Sequence, residues 1–399
     1  MAIAQESGQA HLLGNYAPAP VTFVRGEGCE LIDDRGIRYL DFVAGIAVCS
    51  LGHARPEITA AIAEQAATLV HCSNLYHHEP AGRLAGELSR RSGFARVFFC
   101  NSGAEANEAA IKLARKFAYR KGDVKRRTIL ACEGSFHGRT MGALAATSTK
   151  KYKEGFEPLP GGFAFTPFND IAALEKAIDE SVAAFIVEPI QGESGIKPAT
   201  PEFLAAARRL CDEHGALLIF DEIQCGMGRT GTLFAFEQLG VRPDVMTLAK
   251  SLSNGLPIGA MLVDERFADA LQPGDHGTTF GGSPVPCAAA LAHLQLRDEL
   301  DLDANVRAVG TVMLDGLRAL AADYPQYFEQ PRGAGFMLGL PVRAPHDAAT
   351  FVNAARDEQR LIVNAAGENT IRIVPPLVLS EAQARDGLAR LRKAIESHA

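Results

Sequence analysis

Between about residues 51 and 290, short apolar runs alternate with stretches in which apolar residues recur every three or four positions. The runs Val97–Cys100, Thr128–Cys132, Ala183–Val187, Leu217–Phe220, Val245–Ala249 and Ile258–Val263 predict buried strands. Strands alternating with helices argue for an α/β unit built on a largely parallel sheet. Pro56 suits the first turn of a helix carrying Ile58, Ile62, Ala66 and Leu69 on one face. Thr200-Pro201 caps another, with Phe203, Leu204, Ala207 and Leu210 inward and Gly215 at its end.

The texture changes after residue 291. Helical stretches surround short strands at Phe336–Leu340 and Ile371–Val374, and Ser380-x-x-Gln383 forms a capping box ahead of a last helix. Near the start, Cys29-Glu-Leu-Ile32 and Ile37-Arg-Tyr-Leu40 flank Asp33-Asp-Arg-Gly36, a hairpin signal. The expected organisation is an N-terminal segment (1–50) packing with a smaller α+β domain (291–399), and a large domain (51–290) between them.

Composition narrows the class. A chain of 399 residues with 47% hydrophobic and 22% charged positions can bury a large core. A net charge of -7 and no basic run argue against nucleic acid. The first fifteen residues lack the basic start and apolar stretch of a signal peptide, and no apolar segment approaches the roughly 18 residues of a membrane span. Eight scattered cysteines without a C-x-x-C pair fit reduced thiols, so the expectation is a cytoplasmic protein with no structural zinc.

In open α/β sheets, ligands bind beyond the carboxyl ends of the strands, and here those ends carry chemistry. The run Leu217-Leu-Ile-Phe220 ends in Asp221, and Val245–Ala249 ends in Lys250. An amine and a carboxylate so placed are what pyridoxal phosphate requires: the lysine joins the cofactor aldehyde, and the acid keeps the pyridine nitrogen protonated. Val97–Cys100 leads into Asn101-Ser-Gly-Ala-Glu-Ala-Asn-Glu108, a helix start able to hold a phosphate on backbone N–H groups, or alternatively a plain serine cap. Gly134-Ser-Phe-His-Gly-Arg139 offers aromatic rings for stacking and an arginine for a carboxylate, and Glu188-Pro-Ile-Gln-Gly-Glu193 follows a further strand. Gly226-x-Gly228-x-x-Gly231 matches a dinucleotide fingerprint, but Asp-Glu-Ile-Gln-Cys intervenes after the strand and no βαβ unit with a ribose-binding acid follows. His77-His78-Glu79 lacks the spacing of a zinc helix.

Ser102-Gly-Ala-Glu-Ala-Asn-Glu108, Phe136-His-Gly-Arg139, Glu188-Pro-Ile-Gln-Gly-Glu193, Asp221-Glu-Ile-Gln224, Leu248-Ala-Lys250 and Thr278-Thr-Phe-Gly-Gly282 together resemble the class III, pyridoxal-phosphate-dependent aminotransferases of fold type I. Within that family the chain is most similar to acetylornithine aminotransferases. The resemblance implies that Lys250 carries the cofactor and shuttles the proton, that Asp221 pairs with the pyridine nitrogen, and that Gln224 lies on the side of the ring's 3-oxygen. It implies phosphate binding by Gly103 and Ala104 with help from Ser102, and stacking by Phe136. Thr279 would reach the phosphate of the neighbouring subunit of a homodimer, and Thr278 would lie beside the substrate.

The implied substrates, N2-acetylornithine and glutamate/2-oxoglutarate, give the arginines a logic. Glutamate reacts beside its α-carboxylate, whereas acetylornithine reacts three methylenes away from its own. One clamp cannot serve both geometries. Arg139 is the expected distant clamp and Arg372 the near one, with Glu193 pairing to Arg372 when it is idle. A purely structural Glu193–Arg372 pair is the alternative. Ile46 stands where ornithine δ-aminotransferases have a tyrosine, which suits an acylated α-nitrogen, whereas Tyr16 matches an ornithine-enzyme tyrosine. The expected activity is therefore acetylornithine transamination in arginine biosynthesis. Ornithine, 4-aminobutyrate and succinyl-diaminopimelate aminotransferases are the alternatives within the fold; a non-catalytic cofactor-binding or regulatory relative is the alternative of another class, and a nicotinamide oxidoreductase, resting only on the glycine match, is the remote one.

Overall fold

The computed structural model describes residues 11–398. Its centre is a seven-stranded sheet in the order Arg96–Cys100, Gly259–Val263, Val245–Leu248, Leu217–Asp221, Val182–Val187, Thr128–Cys132, Phe163–Thr166. Only Gly259–Val263 runs against its neighbours; the rest point the same way. Six carboxyl ends therefore open on one edge. The edge strand Phe163–Thr166 is absent from the apolar pattern, because three partly buried residues and a threonine after Pro160-Gly-Gly162 make no run.

Strand alternation divides the core between the two faces. Ile129, Ile186, Leu217, Ile219 and Val245 pack with Ala109, Ala110 and Leu113 of the helix Gly103–Arg120. Leu130, Phe185, Leu218 and Phe220 face Phe203, Leu204, Ala207 and Leu210 of Pro201–His214. Thr200 caps this helix by accepting from the N–H of Phe203, and Gly215 closes it in the left-handed conformation at φ 70°. The Pro56 helix spans Pro56–Thr68 and packs on Pro284–Glu299. Its expected face is only half used: Ile58 is buried and Ile62 packs on the core, but Ala66 and Leu69 are exposed, Leu69 lying just past the helix end.

The N-terminal hairpin forms as Glu30–Asp33 paired with Arg38–Asp41, and the latter pairs in parallel with Leu361–Ile362. Leu40 and Phe42 enter one core with Val306, Met313, Phe351, Leu391 and Ile395. A second antiparallel sheet, in the order Arg332–Ala334, Met337–Pro341, Thr370–Ile373, Asn364–Ala366, places Arg372 opposite Gly339 and Asn364. The last helix, Glu381–Glu396, opens with the capping box at Ser380 and Gln383. After Gly226-x-Gly228-x-x-Gly231 the chain makes turns and one short 3-10 segment, Ala235–Gln238, and opens no α-helix, unlike a dinucleotide fingerprint. Among the described residues, no cluster of His, Cys, Asp or Glu could hold a metal, and no helix is long and apolar enough to cross a membrane.

At the root of this N-terminal sheet, His53 Nε2 lies 2.7 Å from Asp41 Oδ2. Burial opposes the imidazolium, but hydrogen bonds to Asp41 and Cys49 outweigh it and push the pKa up to about 9. A raised folded pKa stabilises fully below the unfolded value near 6.5 and loses that contribution as pH rises through about 9. The difference in Tm between the native chain and His53→Gln is therefore expected to shrink from pH 6.5 to 9.5, as calorimetry would show. A pH-independent difference would mean that His53 is neutral in the fold.

Candidate active site

The carboxyl edge of the large sheet holds a cleft of about 410 Å³. Ser102, Gly103, Ala104, Phe136, Arg139, Asp221, Gln224 and Lys250 all line it, so eight sequence-predicted residues meet in one place. They arrive from four strand ends and the loops that follow them. The convergence follows from the parallel sheet, not from proximity in sequence.

At one end of the cleft, Ser102 caps the helix Gly103–Arg120, its hydroxyl accepting from the N–H of Glu105 at 3.2 Å. The cap and the phosphate cradle are thus compatible. The serine side chain serves the helix, while the N–H groups of Gly103 and Ala104 in the first turn lack intrahelical acceptors and carry the positive end of the helix dipole. Gly103 has to be glycine for packing, since a Cβ there would stand 2.7 Å from Ile223 Cδ1.

Asp221 is only 4% exposed. Its Oδ2 is hydrogen-bonded to Asn107 Nδ2 and to His137 Nδ1, both at 2.8 Å, and its Oδ1 accepts from the N–H of Ile223 at 3.1 Å. Asn107 is itself held by Thr247 Oγ1, which donates to it at 2.8 Å, and it donates to the carbonyl of His137. Such a network fixes the carboxylate in a place where leaving it unpaired would be costly. Beside it Glu188, accepting from the N–H groups of Phe136 and Gly192, is pushed up to about 7 by burial.

Lys250 follows the strand Val245–Leu248 after the single residue Ala249, at φ 42°. A left-handed conformation at a non-glycine residue costs energy and is held here by the surrounding loop. Burial pulls its amine below the ordinary lysine range, with Glu193 pulling the other way and Arg372 adding to the depression. A depressed lysine is more often neutral, the state in which it is a nucleophile.

Arg372 lies just behind the cleft, only 1% exposed. Its Nη1 donates to Glu193 Oε1 at 2.5 Å and to Gln224 Oε1 at 3.3 Å, while Gln224 Nε2 donates to the same Glu193 oxygen at 3.1 Å. Burial alone would raise the Glu193 pKa, but the charges of Arg372 and Lys250 bring it below the usual carboxylate range. Glu193 is thus an ionised cover on a buried guanidinium. Gly192 leaves room for this, since a Cβ there would fall 2.4 Å from the Gln224 amide.

Other predicted residues lie elsewhere. Thr278 and Thr279 line a neighbouring groove with Asn101, Glu105 and Lys112, and Thr278 Oγ1 accepts from Asn101 Nδ2 at 3.1 Å. Tyr16 is 84% exposed and is not among the residues lining the cleft. Sequence reasoning passed over Asn107, His137 and Glu188 as site residues, though all three lie inside the motifs quoted above. The cue was the burial of polar side chains next to Asp221, which only the packed sheet reveals.

The family profile described as Aminotransferase class-III matches residues 14–395. Acetylornithine aminotransferase of Xylella fastidiosa (strain Temecula1) is 50% identical over 386 residues, covering 95% of this chain and 93% of the relative. A Methanocaldococcus jannaschii protein of the same name is 46% identical, covering 92% and 91%. Among solved structures, the ornithine aminotransferase of Toxoplasma gondii ME49 aligns with a TM-score of 0.94 at 34% identity, covering 98% of this chain and 94% of that one. The N-acetylornithine aminotransferase of Stenotrophomonas maltophilia K279a aligns with a TM-score of 0.84 at 40% identity, covering 96% and 97%. The cleft lies on the fold these proteins share, and the chain belongs to the class III aminotransferases.

Proposed function

We propose that the protein transfers the terminal amino group of N2-acetylornithine to 2-oxoglutarate, a step of arginine biosynthesis, with pyridoxal phosphate as cofactor. The observation that carries this reading is the convergence of Lys250, Asp221 and the Gly103–Ala104 helix start on one cleft, with a covered arginine behind it. The acetylornithine aminotransferases among its relatives support the choice of substrate. The donor set fits the cofactor: helix N–H groups for the phosphate, a buried carboxylate for the ring nitrogen, Phe136 for its face and a depressed lysine for its aldehyde. When bound, the cofactor would supply the electron sink that lets a proton leave the carbon bearing the reacting amine.

The chain's own groups do the rest. Asp221 would hold a proton at the pyridine nitrogen, and the amine of Lys250 would carry the proton from the substrate carbon. Arg139 takes the α-carboxylate of acetylornithine at the cleft rim. Arg372 takes that of glutamate once Glu193 swings off it. We assign Gln224 to the side of the ring's 3-oxygen, and Ser102 to support of the phosphate site. The protein works as a cytoplasmic homodimer, with Thr279 serving the partner's phosphate site and Thr278 lying beside the substrate. Support for a dimer comes from exposed Leu69, Val70, Leu75, Tyr76 and Phe280, an apolar group beside the threonine loop that Asn74 ties down through the carbonyls of Thr278 and Gly281. The domains run 1–50, 51–290 and 291–399, with the helix Pro284–Glu299 crossing the second boundary.

The arginine assignment is tested by single-turnover spectra with each amino donor alone. Arg372→Lys should slow the glutamate half-reaction by at least about tenfold, since a lost charged hydrogen bond costs about 1.5–3 kcal/mol and a point charge cannot replace the planar fork. The acetylornithine half should be nearly unchanged. Equal losses in both halves would reject the division between the two arginines.

A further inference from the structure

Arg139 is exposed at the cleft rim and, among the described residues, makes no hydrogen bond or ion pair. A long side chain in that position would normally sample many rotamers. Here its guanidinium carbon lies 3.7 Å from the centroid of the Tyr152 ring and 5.5 Å from that of Phe136. The two rings meet edge to face, their centroids 6.0 Å apart and their planes at 85°. The guanidinium is thus seated on Tyr152 with Phe136, which also lines the cleft, on another side.

Tyr152 is well anchored for this task. It ends the short turn Lys150–Tyr152 and is half-buried. The next residue, Lys153, donates to the carbonyl of Ala145 at 3.3 Å and lies 4.4 Å over the Phe165 ring, tying the turn to a helix end and to the edge strand. An aromatic face engages the flat side of a guanidinium and leaves its N–H edge free. That edge is what a carboxylate needs for a two-pronged bond.

We propose that Tyr152 is a positioning residue that holds Arg139 in the orientation that receives the carboxylate of the amino donor. The inference rests on the reading of Arg139 as the distant clamp. It makes Tyr152 a determinant of preference for donors bearing a carboxylate far from the reacting amine. It acts only through Arg139.

The test uses the holoenzyme and two donors, N2-acetylornithine and 4-acetamidobutylamine, which is the same molecule without its carboxylate. Tyr152→Ala should raise the KM for acetylornithine roughly 3- to 30-fold, the range expected for loss of a cation–π contact. Its half-reaction with 4-acetamidobutylamine should be unchanged. Tyr152→Phe, which keeps the ring, should behave within about twofold of the native enzyme. In an Arg139→Ala background, Tyr152→Ala should add nothing. If Arg139→Ala loses equally on the two donors, so that the native preference for acetylornithine persists, the clamp reading fails. If Arg139→Ala loses selectively on acetylornithine but Tyr152→Ala does not, the clamp stands and the proposal falls. Equal loss on both donors, or a Phe variant as poor as Ala, would also overturn it.

Discussion

Lys250→Ala is expected to bind pyridoxal phosphate noncovalently and to lose turnover, because the amine that joins the cofactor aldehyde and the base that moves the substrate proton vanish together. Each function contributes on the order of 10²-fold or more, so activity should fall below detection in a standard assay. Folding should survive: the Lys250 side chain makes no hydrogen bond among the described residues, and its truncation relieves a buried amine. Retained tertiary signal with absent activity is the expected pair of results. Unimpaired transamination would remove the lysine from the mechanism. The same variant tests the shared site. Mixed with Thr279→Ala subunits under conditions of exchange, it should regain activity, since one of the two sites in each hybrid then carries neither defect. No recovery despite demonstrated exchange would mean that each site belongs to one chain.

Asp221→Asn should slow both half-reactions about 10- to 150-fold, the equivalent of a charged hydrogen bond worth about 1.5–3 kcal/mol. The substitution preserves shape but not charge. It also cannot satisfy the donors around it. Asn107 and His137 point at one oxygen and the N–H of Ile223 at the other, so an amide NH₂ must face a donor whichever way it is turned. Cofactor should still bind, because phosphate and ring contacts remain. Stopped-flow spectra with glutamate alone and with acetylornithine alone would read the rates; native rates in both would refute a role for the carboxylate at the ring nitrogen.

Much of the site was legible because chemistry in this fold is carried by strand ends. Asp221 and Lys250 terminate apolar runs, and a parallel sheet sends such termini to one edge. Gly103-Ala104 was legible as a helix start, and its serine turned out to serve as a cap as well. The supporting residues were less visible. Asn107 lies on the inner side of the helix Gly103–Arg120, and nothing in its spacing distinguishes it from a helix-surface asparagine; only the approach of His137 and Thr247 gives it a task. Tyr152 lies in an irregular loop with no period to read. The edge strand Phe163–Thr166 escaped because a half-covered strand needs no continuous apolar run. The exposed end of the Pro56 helix shows the opposite limit, where helical spacing predicts a face but not how much of it the chain itself covers.

The central claim is that the pocket takes an amino donor whose α-nitrogen is acylated. Ile46 sits in a left-handed turn, φ 65°, two residues before Val48 of the cleft wall, and its apolar side chain has no group to pair with an α-ammonium that would approach it. Where substrate binding covers that ammonium against an apolar side chain, leaving it unpaired costs about 1–3 kcal/mol, or about 5- to 150-fold in rate. The most direct test is kcat/KM with 2-oxoglutarate as acceptor and N2-acetylornithine, ornithine or 4-aminobutyrate as donor. N2-acetylornithine should exceed ornithine by about fivefold or more and should also exceed 4-aminobutyrate; equal or greater efficiency with free ornithine or 4-aminobutyrate would contradict the assignment.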